Sequence, residues 1–197
     1  MQNTQRHLEA FLQTAEEEIT RLAQTLNESF YRQAVAAIIE AERRGNRMHI
    51  TGVGKPAHVA NYIASLLCST GTPCYYLHAT EAVHGSCGQL REGDLVICIS
   101  NSGETEELKS TVSSILQNNC TILAVTGAPE SWLAQRAKIT LLAQVQREGG
   151  PLDRAPRASV LSEILVLQGL SVVLQSQKGI SPQQYVRWHP HGALGRL

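Results

Sequence analysis

The sequence has no charge excess, no leader-like apolar start and no paired-cysteine signature. Lysine plus arginine and aspartate plus glutamate number 17 each, for a formal net charge of zero. That balance argues against recognition of nucleic acid or an anionic membrane surface through bulk charge, and it suits a protein that self-associates. Residues 1–18 are polar and charged, unlike a signal peptide, and no segment reads as long enough for a membrane span. The five cysteines, Cys68, Cys74, Cys87, Cys98 and Cys120, are odd in number, and no two have CxxC spacing. They read as reduced thiols of a cytoplasmic protein. His84 and Cys87 could be two metal ligands, but no second pair completes a site, so no metal is expected. Repeats, low-complexity tracts and an interdomain linker are also missing, which favours one domain.

What is present is a chain of 197 residues, 43% apolar, enough for one α/β unit with a substantial core. Residues 4–44 read as helix, with Leu8, Phe11, Leu12, Ala15 and Ile19 on one apolar stripe and Val35, Ile38 and Ile39 on another. Asn27-Glu28-Ser29 separates two helices there. This arm, residues 1–45, is expected to pack on the domain or on a partner subunit. From residue 46 to 197 strand and helix alternate: strands near 48–51, 73–77, 94–99, 121–126 and 137–142, helices near 56–70, 104–118, 130–136 and 159–178, and a loop or short helix over 78–90. Alternation with crossovers of this size implies an α/β three-layer sandwich around a five-stranded, mainly parallel sheet. In such sheets ligands bind beyond the carboxyl ends of the strands.

Two loops fall at such ends. Ser100-Asn101-Ser102-Gly103-Glu104-Thr105 packs hydroxyls and a glycine between an apolar strand and a polar helix. It can hold a phosphate on backbone N–H groups at a helix start, or it can be an ordinary helix cap with Ser102 as N-cap. Gly52-Val53-Gly54-Lys55 is neither a complete GxGxxG nor a Walker A loop, so a nucleotide is not expected. Lys55 stands at a helix start, where a cation is unfavourable. It is therefore a candidate partner for phosphate or a sugar oxyanion. Glu104 is a candidate general base beside the anion loop. Glu148 sits on the loop after the fifth strand, and His84, His189 and His191 lie in glycine-containing segments where a proton carrier could act.

Taken together, Gly52-Val53-Gly54-Lys55, Ser69-Thr70-Gly71-Thr72-Pro73, Glu81-Ala82-Val83-His84-Gly85, the run from Ser100 to Leu108 and the tail from His189 to Arg196 resemble the sugar isomerase (SIS) domain family. The resemblance covers roughly residues 30–197 and is nearest to the arabinose-5-phosphate isomerases. It implies a flavodoxin-like sheet order, a homotetramer with active sites at subunit contacts, and a small sugar phosphate as partner, with no redox cofactor. The reaction implied interconverts D-ribulose 5-phosphate and D-arabinose 5-phosphate through a cis-enediol, supplying Kdo for lipopolysaccharide or capsule. Ser100, Asn101, Ser102, Gly103 and Thr105 would then bind the phosphate, and Gly54 and Arg157 other parts of the substrate. Lys55, His84, Glu104, Glu148 and His189 match the catalytic set. Within it, His189 and Glu104 would move the C1/C2 protons, His84 would open the ring and Lys55 would polarise.

The chain departs from the family at Pro56, Ser86-Cys87-Gly88-Gln89, Arg157-Ala158 and His191, which bears on which sugar phosphate is taken. It ends after the tail motif, so the paired CBS domains of many members, and their regulatory input, are not expected. Isomerisation of another phosphosugar and a non-catalytic sugar-phosphate sensor remain the alternatives.

Overall fold

The computed structural model describes residues 2–191. Residues 192–197, which carry Gly192 to Arg196 of the tail motif, lie outside the described residues. Five strands form one parallel sheet: β1 (Met48–Gly52), β2 (Cys74–Tyr76), β3 (Leu95–Ile99), β4 (Thr121–Thr126) and β5 (Ile139–Leu142). Their order is β2-β1-β3-β4-β5, the flavodoxin-like order, whose direction reverses between β1 and β3. Every residue of β1 and β3 is buried, whereas the edge strands β2 and β5 are only partly so. The apolar run of β3 and the buried His49 and Thr51 of β1 therefore sit in the middle of the sheet, where both faces are covered.

Helices α1 (Gln2–Ala23), α2 (Glu28–Arg43), α3 (Lys55–Ser69) and α7 (Ala158–Lys178) belong to one side. There Ile50, Ile97, Ile99, Leu123 and Val125 pack against Val35, Ile38, Val59, Ile63, Leu67, Val166 and Leu170. On the other side Val96, Cys98, Ile122 and Ala124 meet Leu108, Val112 and Ile115 of α5 (Glu106–Gln117) and Leu133 of α6 (Trp132–Arg136). The alternation of odd and even strand residues between the two clusters is the period-two geometry of a pleated strand. Residues 78–90 form the short helix α4 (Ala79–Ala82) and a 3-10 turn over Ser86–Gln89.

Three sequence expectations change. First, α7 is long and apolar enough to cross a membrane by length and composition, with a mean hydropathy of 1.6 over its apolar window. Half of that window is buried within the fold, against α1, α2 and α3. A helix apolar on nearly all sides is what an inner layer between sheet and outer helices requires. Second, α1 buries Thr14, Glu18 and Leu22, four residues apart, while Leu8 and Leu12 stay 50% and 55% exposed. The polar pair is recruited because Glu18 accepts a hydrogen bond from the Gln146 N–H at 3.0 Å and pairs with Arg21 at 2.7 Å. Third, an additional helix, α8 (Pro182–Trp188), follows α7. It buries no residue, so no apolar period marks it. Its signal is the capping box between Ser181 and Gln184 with Pro182 in the first turn.

Candidate active site

The β1 and β3 strands end in register, Gly52 opposite Ile99, so the loops that leave them start side by side at the reversal of strand order. At the first loop a Cβ on Gly52 would come within 2.8 Å of the Pro56 carbonyl carbon. Only glycine lets α3 start this close to the strand. Gly54 then adopts a φ of 67°, open to glycine without strain, and Lys55 begins the helix. Pro56 fits the first turn, where an N–H has no intrahelical acceptor. Lys55 is exposed and enters no ion pair among the described residues.

The second loop is pinned from beneath. The Ser100 hydroxyl, nearly buried, accepts from the Gly103 N–H at 3.1 Å and lies 3.2 Å from the Thr105 hydroxyl. The Asn101 carbonyl accepts from the Gly127 N–H and the Thr126 hydroxyl, and the Gly103 carbonyl from the Leu133 N–H. A Cβ on Gly103, whose φ is 65°, would collide with the Ser131 side chain. The N-cap of α5 is Thr105 rather than Ser102, and its side chain gives no acceptor to the first turn. Ser102 instead accepts from the Glu104 N–H at 3.2 Å. The first turn of α5 thus presents its positive end to the crevice without a side-chain cap.

Glu104 is bound on the α6 side. One oxygen accepts from the Trp132 N–H at 2.7 Å, and the other pairs with Lys109 at 2.8 Å. The hydrogen bond from Lys109, with that from Trp132, holds its carboxyl below the usual range. It is therefore an ionised group at neutral pH.

Glu148 is held at the amino end of α7, where one oxygen accepts from the Arg157 N–H at 2.7 Å and the Ser159 N–H at 3.1 Å. Arg157, whose side chain donates to the Gly149 carbonyl, lies over the Phe11 ring of α1 at 5.9 Å. Arg147 pairs with Glu17 of the same helix at 2.6 Å. The helical arm thereby clamps the loop that carries Glu148. A groove lined by Lys55, His58, Val59 and Tyr62 of α3 with Pro156, Val160 and Ile164 places Lys55 beside this end of α7. His84 is exposed between α4 and the 3-10 turn, on the loop after β2.

His189 is elsewhere in the chain's own fold. Its Nδ1 donates to the Tyr185 carbonyl at 2.9 Å and its ring stacks on Tyr185 at 4.1 Å, leaving Nε2 as the free nitrogen. Trp188 and Ile180 pack so tightly on Gly71 that a Cβ there would lie within 3 Å of both side chains. Lys178 donates to the Gly71 carbonyl and the Thr72 hydroxyl. Gly71 and Thr72 precede β2, at the amino ends of the strands. One chain therefore gathers Lys55, Glu148, Arg157 and the Ser100–Thr105 loop at one end of the sheet. It holds His189 at the other, about 16 Å away by strand rise.

The family model for the SIS domain matches residues 43–168. The chain belongs to the SIS domain family. The matched stretch of this SIS domain contains Lys55, His84, Ser100, Glu104, Glu148 and Arg157 but not His189. A Francisella tularensis protein named arabinose 5-phosphate isomerase KdsD is 35% identical over 91% of this chain and 55% of its own length. A Pseudomonas aeruginosa protein of the same name is 38% identical over 76% and 46%. The SIS chain thus spans about half the length of the curated relatives it matches. Among solved structures, an Escherichia coli CFT073 protein in complex with arabinose 5-phosphate superposes with a TM-score of 0.87 at 26% identity, covering 96% of this chain and 98% of that one.

Sequence reasoning missed several polar groups of this SIS domain. His58, Asn61, Tyr76, His78 and Thr80 line, beside the expected Gly54, a pocket of about 350 Å³ beyond β1 and β2. His78 caps α4, its ring nitrogen facing the Glu81 N–H. A histidine three residues ahead of an acidic residue was the available signal. Lys109, which fixes Glu104, lay one helical turn into α5 and carried no motif.

Proposed function

We propose that this chain is an aldose–ketose isomerase that interconverts D-ribulose 5-phosphate and D-arabinose 5-phosphate. The observation that carries this is the pairing of two loops in register at the end of the sheet: one presents an ammonium, Lys55, with no ion pair among the described residues, the other three hydroxyls at an uncapped helix start. The names of the two curated relatives, and the arabinose 5-phosphate held by the E. coli neighbour, support the choice of sugar phosphate.

In this reading the phosphate sits on Ser100, Asn101, Ser102, Gly103 and Thr105, where helix polarity and N–H groups favour an anion. Arg157 and Gly54 contact the rest of the substrate. From the ketose, a base removes a proton from C1 while the C2 carbonyl oxygen gains one, giving the cis-enediol. The O1 hydroxyl then releases its proton and C2 accepts one, giving the aldose. No electron leaves the sugar, so no redox cofactor is required. Lys55 offsets negative charge on the enediolate oxygens. Glu104 and His189 exchange the carbon protons, His84 protonates the ring oxygen on opening, and Glu148 completes the set at the amino end of α7.

His189 reaches this centre only from a second copy. We therefore assign a homotetramer whose sites lie at subunit contacts, with His189 of the partner subunit closing the crevice. Exposed Leu8, Leu12 and Val172, together with the absence of net charge, support such contacts. Residues 1–45 act as an arm on the catalytic unit of residues 46–197. The five free thiols suit a reducing cytoplasm, and the product suits Kdo supply for lipopolysaccharide or capsule.

The test is incubation with D-ribulose 5-phosphate followed by carbon NMR. Appearance of arabinose 5-phosphate signals, with deuterium from heavy water entering at the exchanged carbon, is expected. An unchanged spectrum despite demonstrable binding would assign the chain to the sugar-phosphate sensors, and conversion of a hexulose phosphate alone would change the substrate.

A further inference from the structure

The second turn of α7 holds a side chain that the proposed reaction does not use. Glu163 is 1% exposed, and neither of its carboxyl oxygens has a hydrogen-bond partner among the described residues. A buried carboxylate without partners is far costlier than a buried carboxylic acid. Burial, with the charge of Glu148 adding to it, pushes this group up to about 8. The geometry ties it to Glu148 as well. The Ser159 N–H that holds Glu148 belongs to the residue one helical turn before Glu163. Other ionisable groups facing α7 are Tyr31 and Glu42 from α2, and Lys55, His58 and Tyr62 from α3. Glu148 is the one whose charge bears on Glu163.

We propose that Glu163 is a positioning residue for Glu148: a neutral acid standing behind it, which leaves a single negative charge at the amino end of α7 and keeps the Glu148 carboxylate seated on the Arg157 and Ser159 N–H groups. This rests on the isomerase reading and extends it to a residue that does not touch substrate. When Glu163 loses its proton, a second negative charge appears beside Glu148, the two repel, and the seat loosens. Turnover then falls on the alkaline side through kcat, while KM, set by the phosphate loop at β3, changes little.

The experiment compares pH profiles of kcat and KM for the wild-type chain and Glu163→Gln, which keeps the shape but cannot ionise. The wild type is expected to lose kcat with an apparent pKa near 8. The variant is expected to keep its neutral-pH kcat, with that limb absent or moved up by about one unit or more. The same alkaline limb in both overturns the proposal. A carboxyl carbon NMR titration of the wild type needs no turnover, and Glu163→Met supplies the assignment should the glutamine variant fail to fold. A Glu163 signal titrating near 8, with a Glu148 signal that follows it, supports the proposal. A Glu163 titrating in the ordinary carboxylate range overturns it. A chain inactive on ribulose 5-phosphate would defeat the isomerase reading, while this titration would still decide the role of Glu163.

Discussion

Glu104 and Glu163 show how far environment separates two carboxyls of one site region. Glu104 is bonded to Lys109 and the Trp132 N–H and stays ionised. In its proposed role as base, the lowered pKa puts the loss of activity on the acid side, as pH drops through that value. Lys109→Ala should therefore move the acid limb of kcat/KM to higher pH. An unmoved limb would remove Glu104 from the role of base. Glu163 behaves in the opposite sense. Its folded-state value is raised, so the folded chain binds a proton more tightly than the unfolded chain. Stability is then fully present below the unfolded value of 4.5 and is lost as pH rises to about 8. Replacing it by methionine should stabilise the fold by about 3 kcal/mol more at pH 7 than at pH 4. Melting curves of the two chains across pH check this, and a gain independent of pH would contradict it. Neither assignment was legible from the residues alone. Glu104 was visible as a candidate because glutamate, serine and glycine sit together in sequence. Lys109 and the burial of Glu163 arise only when helices pack.

At the scale of elements, the sheet was legible because β3 and β4 are short, largely apolar runs followed by Ser100 and Gly127, and because strand-length and helix-length segments alternate along the chain. The two crevice loops were legible for the same reason, as breaks between a strand period and a helix period. The amino end of α5, expected near 104, lies at Glu106, and the alternative Ser102 cap does not form: Thr105 takes the N-cap position, its hydroxyl 3.2 Å from that of Ser100. The α8 helix escaped because it buries nothing, and the position of His189 escaped because it depends on Trp188 docking at Gly71, a contact between residues more than a hundred apart. The Ser181–Gln184 capping box closes the amino end of α8. Ser181→Ala should cost this helix about 1 kcal/mol, read as roughly fivefold faster amide exchange over Pro182–Trp188 with the global melting temperature unmoved. Unchanged exchange would mean that docking at Gly71, not the cap, holds the helix.

At the scale of the molecule, the proposed site needs two ends of one sheet brought together by two copies of the chain. Lys55 and the phosphate loop stand at the carboxyl ends of the strands, His189 at the amino ends, and no bending of a single packed sheet joins them. Both α1 and α7 leave apolar side chains exposed, Leu8, Leu12 and Val172, that a second copy can cover. Lys55→Ala and His189→Ala, each alone, should assemble and melt like the wild type yet lose turnover by about 100-fold or more. Co-refolding the two inactive variants in equal amounts is the most direct measurement. Mixed assemblies contain sites with an intact Lys55 from one copy and an intact His189 from the other. Ribulose 5-phosphate isomerisation is expected to return to about a quarter of the wild-type rate for a two-fold contact. Mixed assemblies that form but remain as inactive as their parents would contradict it.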